Sequence, residues 1–441
     1  MGSWWTRRQN DFSSPHLEGD KKPEELALDD PRGSGWRRNF ILGRTHNNLG
    51  YVYWMQKMQY ALALEHFKNA LPYFRASDLL EEYANTSDNI GRVYARLGEK
   101  SRAEALIEDG WEIRKRLHYD YRIGLSLVSN AIVKTAFGKP YSGRALSRQA
   151  LKIFDDLQAQ RGIGLTCIAL GSALRAIGAL WATGIVDPEH EECLVDAIEK
   201  LKRAEEIFKK QVDEPVRLIQ VYNEMGCVHR ERAALVRERS EPLAQSSAQQ
   251  AIDNLERSIQ LADEYEMPVM YADGCEDLAQ TYFQQGEYEI ALAQLERAEK
   301  KIPAEYRFRP RAKLATIPPN QCVEEFWQML GKIELLRGHT AFEQKLSPEG
   351  KVVDPNAVRK AAEHYAFAEA YFERFSPEAS RLETTDRQVH SRFRKCKIVD
   401  LEQIQKEVLP QLAKEYPDLA SPRLRMFFED TTGIPAVEPT E

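Results

Sequence analysis

Residues 278–303 read Leu278-Ala279-x2-Tyr282-x3-Gly286-x-Tyr288-x2-Ala291-x3-Leu295-x2-Ala298-x4-Pro303. Apolar residues recur at helical spacing in two runs, divided by Gly286 and stopped by Pro303. Ala279, Ala291 and Ala298 are small enough for two antiparallel helices to approach closely. Leu278, Tyr282 and Leu295 are large enough to fill the space between them. Gly286 permits the tight turn that joins the two.

The same grammar recurs along the chain. Leu49-Gly50-x2-Tyr53 leads to Ala63, Phe67 and Ala70. Ile90-Gly91-x2-Tyr94-x3-Gly98 leads to Ala103, and Asn130-Ala131 to Gly138 and Ala150. Leu170-Gly171 leads to Gly178. Met225-Gly226 opens a fifth unit, whose partner helix is expected over Ala248–Tyr265 after a Ser/Gln-rich insertion at 239–247. Trp327-x2-Leu330-Gly331-x6-Gly338 opens another, with a partner over Ala357–Phe375 and a loop at 339–356. Gly98, Gly138 and Gly178, read as turn glycines, stand 40 residues apart, and so do Gly91, Ala131 and Gly171. Seven repeats follow, with a degenerate last pair at 382–398 and 401–416.

Units of this kind cannot bury their apolar faces alone, and stacking them makes a continuous core. The fold expected is all-α: a right-handed superhelix, or α-solenoid, of seven to eight helix pairs with a concave groove. The superhelical domain is placed at 39–416. Residues 1–38 carry Pro15, Pro23 and Pro31 without a period and read as a disordered arm or linker. Residues 417–441, with four prolines, read as a tail.

Composition narrows the function. The 441 residues are 43% hydrophobic and 29% charged with a net charge of −7, which is globular and lacks the basic excess that favours nucleic acid or an anionic membrane. The stretch Ile163–Val186 is apolar enough to suggest a span. Arg175 near its centre and the repeats on either side favour a buried repeat helix instead. The N-terminus lacks the apolar run of a secretory signal, and its Met1-Gly2-Ser3 opening is compatible with a piece of a longer protein. Six scattered Cys form no CxxC, so neither a disulfide framework nor a zinc site is indicated, and a reducing cytoplasm fits best. No phosphate loop, HExxH or nucleophile signature is present. Catalysis, metal and cofactor are therefore not expected.

What remains is a surface. First helices line the groove in such a stack, and counting from each Leu-Gly pair gives the groove-facing positions. They include Asn48 and Tyr51 in the first unit, and Asn89, Arg92 and Arg96 in the second. Arg175 follows in the fourth, and Asn223 and Arg230 in the fifth. The sixth is acidic, with Asp273, Glu276 and Asp277. Guanidiniums converging on a concave surface favour carboxylate or phosphate. Arg175, alone in an apolar helix, is expected to matter most, and Arg230 has Glu276 as a candidate partner.

The repeats resemble the tetratricopeptide family over about residues 40–375. At 40 residues or more, the unit exceeds the usual one of roughly 34. With Asn48-Leu49-Gly50-Tyr51-Val52-Tyr53 and Ala291-Leu292-Ala293-Gln294-Leu295-Glu296-Arg297-Ala298, it is similar to the sensor domains of bacterial STAND signal-transduction ATPases, the class of the maltose-regulon activator. That resemblance implies an inducer in the groove and a nucleotide-binding module in the same parent protein, although no such module is visible in this chain. The alternative is a stand-alone scaffold, or a peptide-pheromone type of receptor, holding a peptide or protein segment.

Overall fold

The computed structural model describes residues 33–117, 120–184, 187–311, 316–318, 320–346, 354–376, 389, 391–416 and 419. No strand occurs among them, and the architecture is an all-α solenoid. Seven antiparallel pairs follow one another. They are α1 (Gly33–Val52) with α2 (Tyr60–Ala76), α3 (Leu80–Arg96) with α4 (Lys100–Leu117), and α5 (Asp120–Ala136) with α6 (Pro140–Asp156). Next come α7 (Gln160–Gly178) with α8 (Pro188–Lys210), and α9 (Pro215–Val236) with α10 (Glu241–Glu264). The last two pairs are α11 (Pro268–Gln285) with α12 (Tyr288–Lys300) and α13 (Glu325–Glu343) with α14 (Pro355–Phe375). A terminal helix, α15, runs from Ile398 through a π turn to Glu415. Most of the expected partner at 382–398 lies outside the described residues, as does nearly all of 1–38 and 417–441. The first helix starts at Gly33, ahead of the boundary read from the sequence.

The small-residue rule explains why the pairs close. A Cβ added to Gly171 would meet Leu201 Cγ at 2.8 Å. On Gly226 it would meet Leu255 Cγ at 2.5 Å, and on Gly331 it would meet Phe372 at 2.7 Å. Ala131 and Ala279 hold the same register in their own repeats, fully buried. The large residue of each second helix thus sits directly over a small residue of the first.

Two sequence readings are corrected. Gly98 and Gly138 do turn the chain, with φ of 80° and 71°, but Gly178 does not. Its φ is −57°, the chain continues through a 3-10 turn at Ala179–Thr183, and Gly184 takes the left-handed conformation at φ 92°. Gly178 instead makes room for Leu194, whose Cγ lies 2.5 Å from where a Cβ would stand. The Ser/Gln-rich stretch at 239–247 is likewise no insertion, because α10 begins at Glu241. Pro242 sits in its first turn, and Ala244, Ser247, Ala248 and Ala251 form a buried small-residue face. The polar residues between them cover the outer side of a longer helix.

The segment Gln160–Ala182 is long and apolar enough to cross a membrane by length and composition alone. In the fold it is the first helix of the fourth repeat, packed on α5, α6, α8 and α9. Cys167, Leu170, Leu174 and Ile177 are buried there.

Neighbouring first helices pack directly on one another, α3 on α5, α5 on α7, α7 on α9, α9 on α11 and α11 on α13. Second helices of successive repeats do not reach each other to that extent. The first helices therefore occupy the tighter, inner side of the curve.

Burial also sets a pH limit. His229 on α9 is 4% exposed, and its Nδ1 has no hydrogen-bond partner among the described residues. Burial, with Arg232 and Lys202 nearby, lowers its pKa to about 4. The unfolded chain holds the proton more tightly than the fold does. Stability is therefore full above pH ~6.5 and falls as pH drops toward 4, by up to about 3 kcal/mol at order of magnitude. Urea titrations between pH 7 and 4 should show this limb, and His229→Gln should flatten it. An unchanged limb in the variant would assign the pH dependence to other groups.

Candidate functional site

The inner wall carries a belt of polar side chains, many of which join one repeat to the next. Thr86 Oγ1 and Asn89 Nδ2 of α3 donate to Asn47 Oδ1 of α1 at 3.0 and 3.3 Å. Arg175 of α7 pairs with Glu224 of α9 at 2.6 Å. Asn223 and Arg230 of α9 donate to Asp277 of α11 at 2.9 and 2.8 Å. Lys332 of α13 pairs with Asp273 and Glu276 of α11 at 2.8 and 3.5 Å. The acidic sixth repeat is thus matched by basic and amide groups on both sides. Although burial raises the Asp277 pKa, Arg230, Lys332 and the hydrogen bonds from Arg230 and Asn223 outweigh it and hold the carboxyl at about 2. The Arg230 partner is Asp277, one residue along from Glu276.

The belt then closes on itself. Glu324 and Glu325, where α13 begins, reach back to the first two repeats. The Glu324 carboxylate accepts from the Tyr60 and Ala61 backbone N–H groups, each at 2.9 Å. It therefore caps the exposed N-terminal amides of α2, where a negative charge also meets the positive end of the helix dipole. Glu325, 1% exposed, accepts from the Tyr60 hydroxyl and from Arg96, whose Nη2 lies 3.1 Å away. Gln59 Nε2 donates to the Asn320 carbonyl at 3.0 Å, and the Ser376 hydroxyl donates to the Leu97 carbonyl. The seventh repeat is thereby seated on the first and second.

In one inner cluster, arginines outnumber the carboxylates that pair with them. Tyr51 and Trp54 end the first-repeat helix, Arg92 comes from α3, Arg161 from α7 and Arg217 from α9. Arg217 Nη2 donates to the Tyr51 hydroxyl at 3.1 Å and its Nη1 to Gln220 at 2.8 Å. Arg161 pairs with Glu214 at 2.6 Å, and Glu214 lies 3.8 Å from Arg217. The Arg92 guanidinium lies over Trp54, 4.5 Å from the ring centroid. Its Nε is buried without a hydrogen-bond partner among the described residues. Burial, and then the repulsion of Arg217, pull the Arg92 pKa down to about 10, the mark of a cation lacking its counter-charge. Burial raises the Tyr51 hydroxyl, yet Arg217, Arg161 and Arg92 together bring it below its ordinary value.

The chain carries tetratricopeptide repeats. Family models described as tetratricopeptide repeat match residues 42–116 and 272–298. No curated protein matches this sequence. Among solved structures, BtubC (BKLC) from P. vanneervenii is similar at 12% identity and a TM-score of 0.36, covering 65% of this chain and 98% of its own. The TPR2AB-domain:pHSP90-complex of yeast Sti1 is similar at 17% identity and a TM-score of 0.26, covering 59% and 91%. A circular tandem repeat protein with novel repeat topology is similar at 13% identity and a TM-score of 0.24, covering 90% and 95%.

Within the tetratricopeptide stack, the residues singled out from sequence part company. Asn48 is exposed, while Asn89 is buried on Asn47. Arg96, Arg175, Asn223 and Arg230 are engaged by carboxylates of the chain itself. Tyr51 and Arg92 are brought together. Arg161 and Arg217, which sequence reasoning passed over, complete their surroundings. Both stand in the first turn of a first helix in successive repeats, and that coincidence of an arginine was the available signal.

Proposed function

We propose that this chain is a non-catalytic interaction protein that binds a peptide or protein segment on its inner surface, at the end formed by Tyr51, Trp54 and Arg92. The observation that carries this reading is the contrast within the belt. Every other inner arginine named above has a carboxylate or hydroxyl partner in the chain, whereas Arg92 lies over the Trp54 ring with its buried Nε unpartnered among the described residues. Aromatic and arginine side chains together are the usual centres of binding energy at an interface.

The resemblance to STAND sensor domains supports a finer version: the occupant acts as an inducer and the stack regulates a nucleotide-binding module of a parent protein. The Glu325 closure would serve as the two-state element such a regulator needs, if the occupant favours one arrangement over the other. Six unpaired cysteines support a cytoplasmic setting.

The test is selection of a random peptide library on the immobilised chain. Enriched acidic peptides should lose binding to Arg92→Glu by about tenfold or more, since a charged contact is lost and a repulsive one gained. Unchanged binding to Arg92→Glu, together with loss on Lys152→Glu of the exposed face of α6, would move the site to the outer side and end this reading.

A further inference from the structure

We propose that the Tyr51–Arg92–Arg161–Arg217 cluster is a phosphate-binding site, taking a phosphate monoester or inorganic phosphate as a dianion. The proposal deepens the inner-surface reading above by naming the chemistry of its occupant.

Charge decides the class. The cluster holds three guanidiniums against one carboxylate, Glu214. Asp88 also acts on Arg92, but it is engaged by Arg114, which offsets it. A carboxylate ligand would leave a net positive charge behind, whereas a dianionic phosphate balances it. Donor geometry points the same way. Tyr51 receives its hydrogen bond from Arg217, so its own O–H proton remains free to donate. Arg92 lies over the Trp54 ring, and its buried Nε has no hydrogen-bond partner among the described residues, so a donor is available there to an incoming oxygen. Planar arginine forks suit phosphate oxygens, and burial strengthens each contact by excluding water.

Assembly matters too. The four groups come from α1, α3, α7 and α9, and Tyr51 meets Arg217 across 166 positions of sequence. The site exists only where the stack winds tightly enough to bring the first repeat onto the fifth. Phosphate binding and winding should therefore support one another.

The experiment is titration calorimetry at matched ionic strength with three probes: inorganic phosphate, the peptide Ac-Gly-phosphoserine-Gly-amide, and acetate. Phosphate and phosphopeptide should bind while acetate does not. Tighter binding of the peptide would identify a phosphorylated segment as the occupant, and tighter binding of inorganic phosphate a free ligand. Arg92→Gln should weaken phosphate roughly 10- to 100-fold, and Tyr51→Phe by about fivefold. Since Arg92 makes no ion pair among the described residues, Arg92→Gln should fold, with the circular dichroism of the parent confirming it. Arg217→Gln supplies a second variant. Equal binding of acetate and phosphate, or undiminished phosphate binding by both arginine variants, would overturn the proposal. If library peptides without phosphate still require Arg92 while phosphate does not bind, this inference fails and the inner-surface reading stands. If phosphate binds but no peptide is retained, the reverse holds.

Discussion

Arg114→Met should destabilise the chain by about 3–5 kcal/mol, the cost typical of removing one partner of a buried ion pair. Arg114 is fully buried in α4. Its guanidinium donates to Asp88 of α3 and to Ser126 of α5, and its Nε lies 3.5 Å from Glu81. Ser126 also donates to Asp88 at 3.2 Å, and Arg122 of α5 pairs with Glu81 at 3.2 Å. One side chain thus joins the second repeat to the third. Methionine nearly matches the volume, so packing is kept and the loss is electrostatic. Asp88, 3% exposed, would be left with only Ser126, and burial already raises its pKa. Losing Arg114 should push the Asp88 carboxyl further toward its protonated form. Urea unfolding gives the magnitude, and proton uptake on folding of the variant gives the mechanism. The double variant Asp88→Leu with Arg114→Met should recover part of the loss, because no buried charge remains unpaired. A loss below 1 kcal/mol for Arg114→Met would mean that water enters this site.

Glu325→Ala should open the ring. It removes the acceptor shared by the Tyr60 hydroxyl and Arg96, and we expect a cost of about 3 kcal/mol. The two partners fare differently. Arg96 is 39% exposed on its side chain and can return to water, whereas Tyr60 is 2% exposed and cannot. Most of the cost therefore falls on the stranded Tyr60 hydroxyl, and Tyr60→Phe in the Glu325→Ala background should recover it. The shape change is the sharper readout. With Glu325 gone, the hydrogen bonds of Glu324, Ser376 and Gln59 remain, among those named above, to hold the seventh repeat against the first two. X-ray scattering should show a larger radius of gyration, and hydrogen exchange should rise in α13 and α14 before α5–α8. A variant with the scattering curve of the parent would show that closure does not depend on this carboxylate. Because Tyr51 and Arg217 also meet across the ring, Glu325→Ala should weaken phosphate binding at a site it does not touch.

Much of the fold is legible in the residues taken a few at a time. Ile90-Gly91, Leu170-Gly171, Met225-Gly226 and Leu330-Gly331 each declare a first helix. Each glycine does what its smallness implies, accepting Ile107, Leu201, Leu255 or Phe372 from the second helix. Such signals are local, because the partner lies one helix away and the period fixes which faces meet. Gly178 misled for the same reason. A glycine at the end of a first helix fits a turn and a close approach equally well, and only Leu194 above it settles which.

The inner surface was only half legible. Helical period put Arg92, Arg96, Arg175 and Arg230 on first helices, but it carries no information on what stands opposite. Arg175 and Arg230 are met from the adjacent repeat by Glu224 and Asp277. Those partners lie on first helices at matching register, within the reach of a careful pairing of neighbours. Arg96 is different, because Glu325 comes from five repeats further along.

What the sequence by itself determined is the repeating unit: helix, turn, helix, a small residue under a large one, and a stack of seven such pairs with first helices inside. Only the tertiary structure decided that the stack returns to its start. The small rotation between successive repeats is set by many side-chain volumes at each junction, and closure depends on their sum around the whole ring. No single residue encodes that sum. It is this accumulated curvature that gives Arg96 its carboxylate and leaves Arg92, beside Arg161 and Arg217, without one among the described residues.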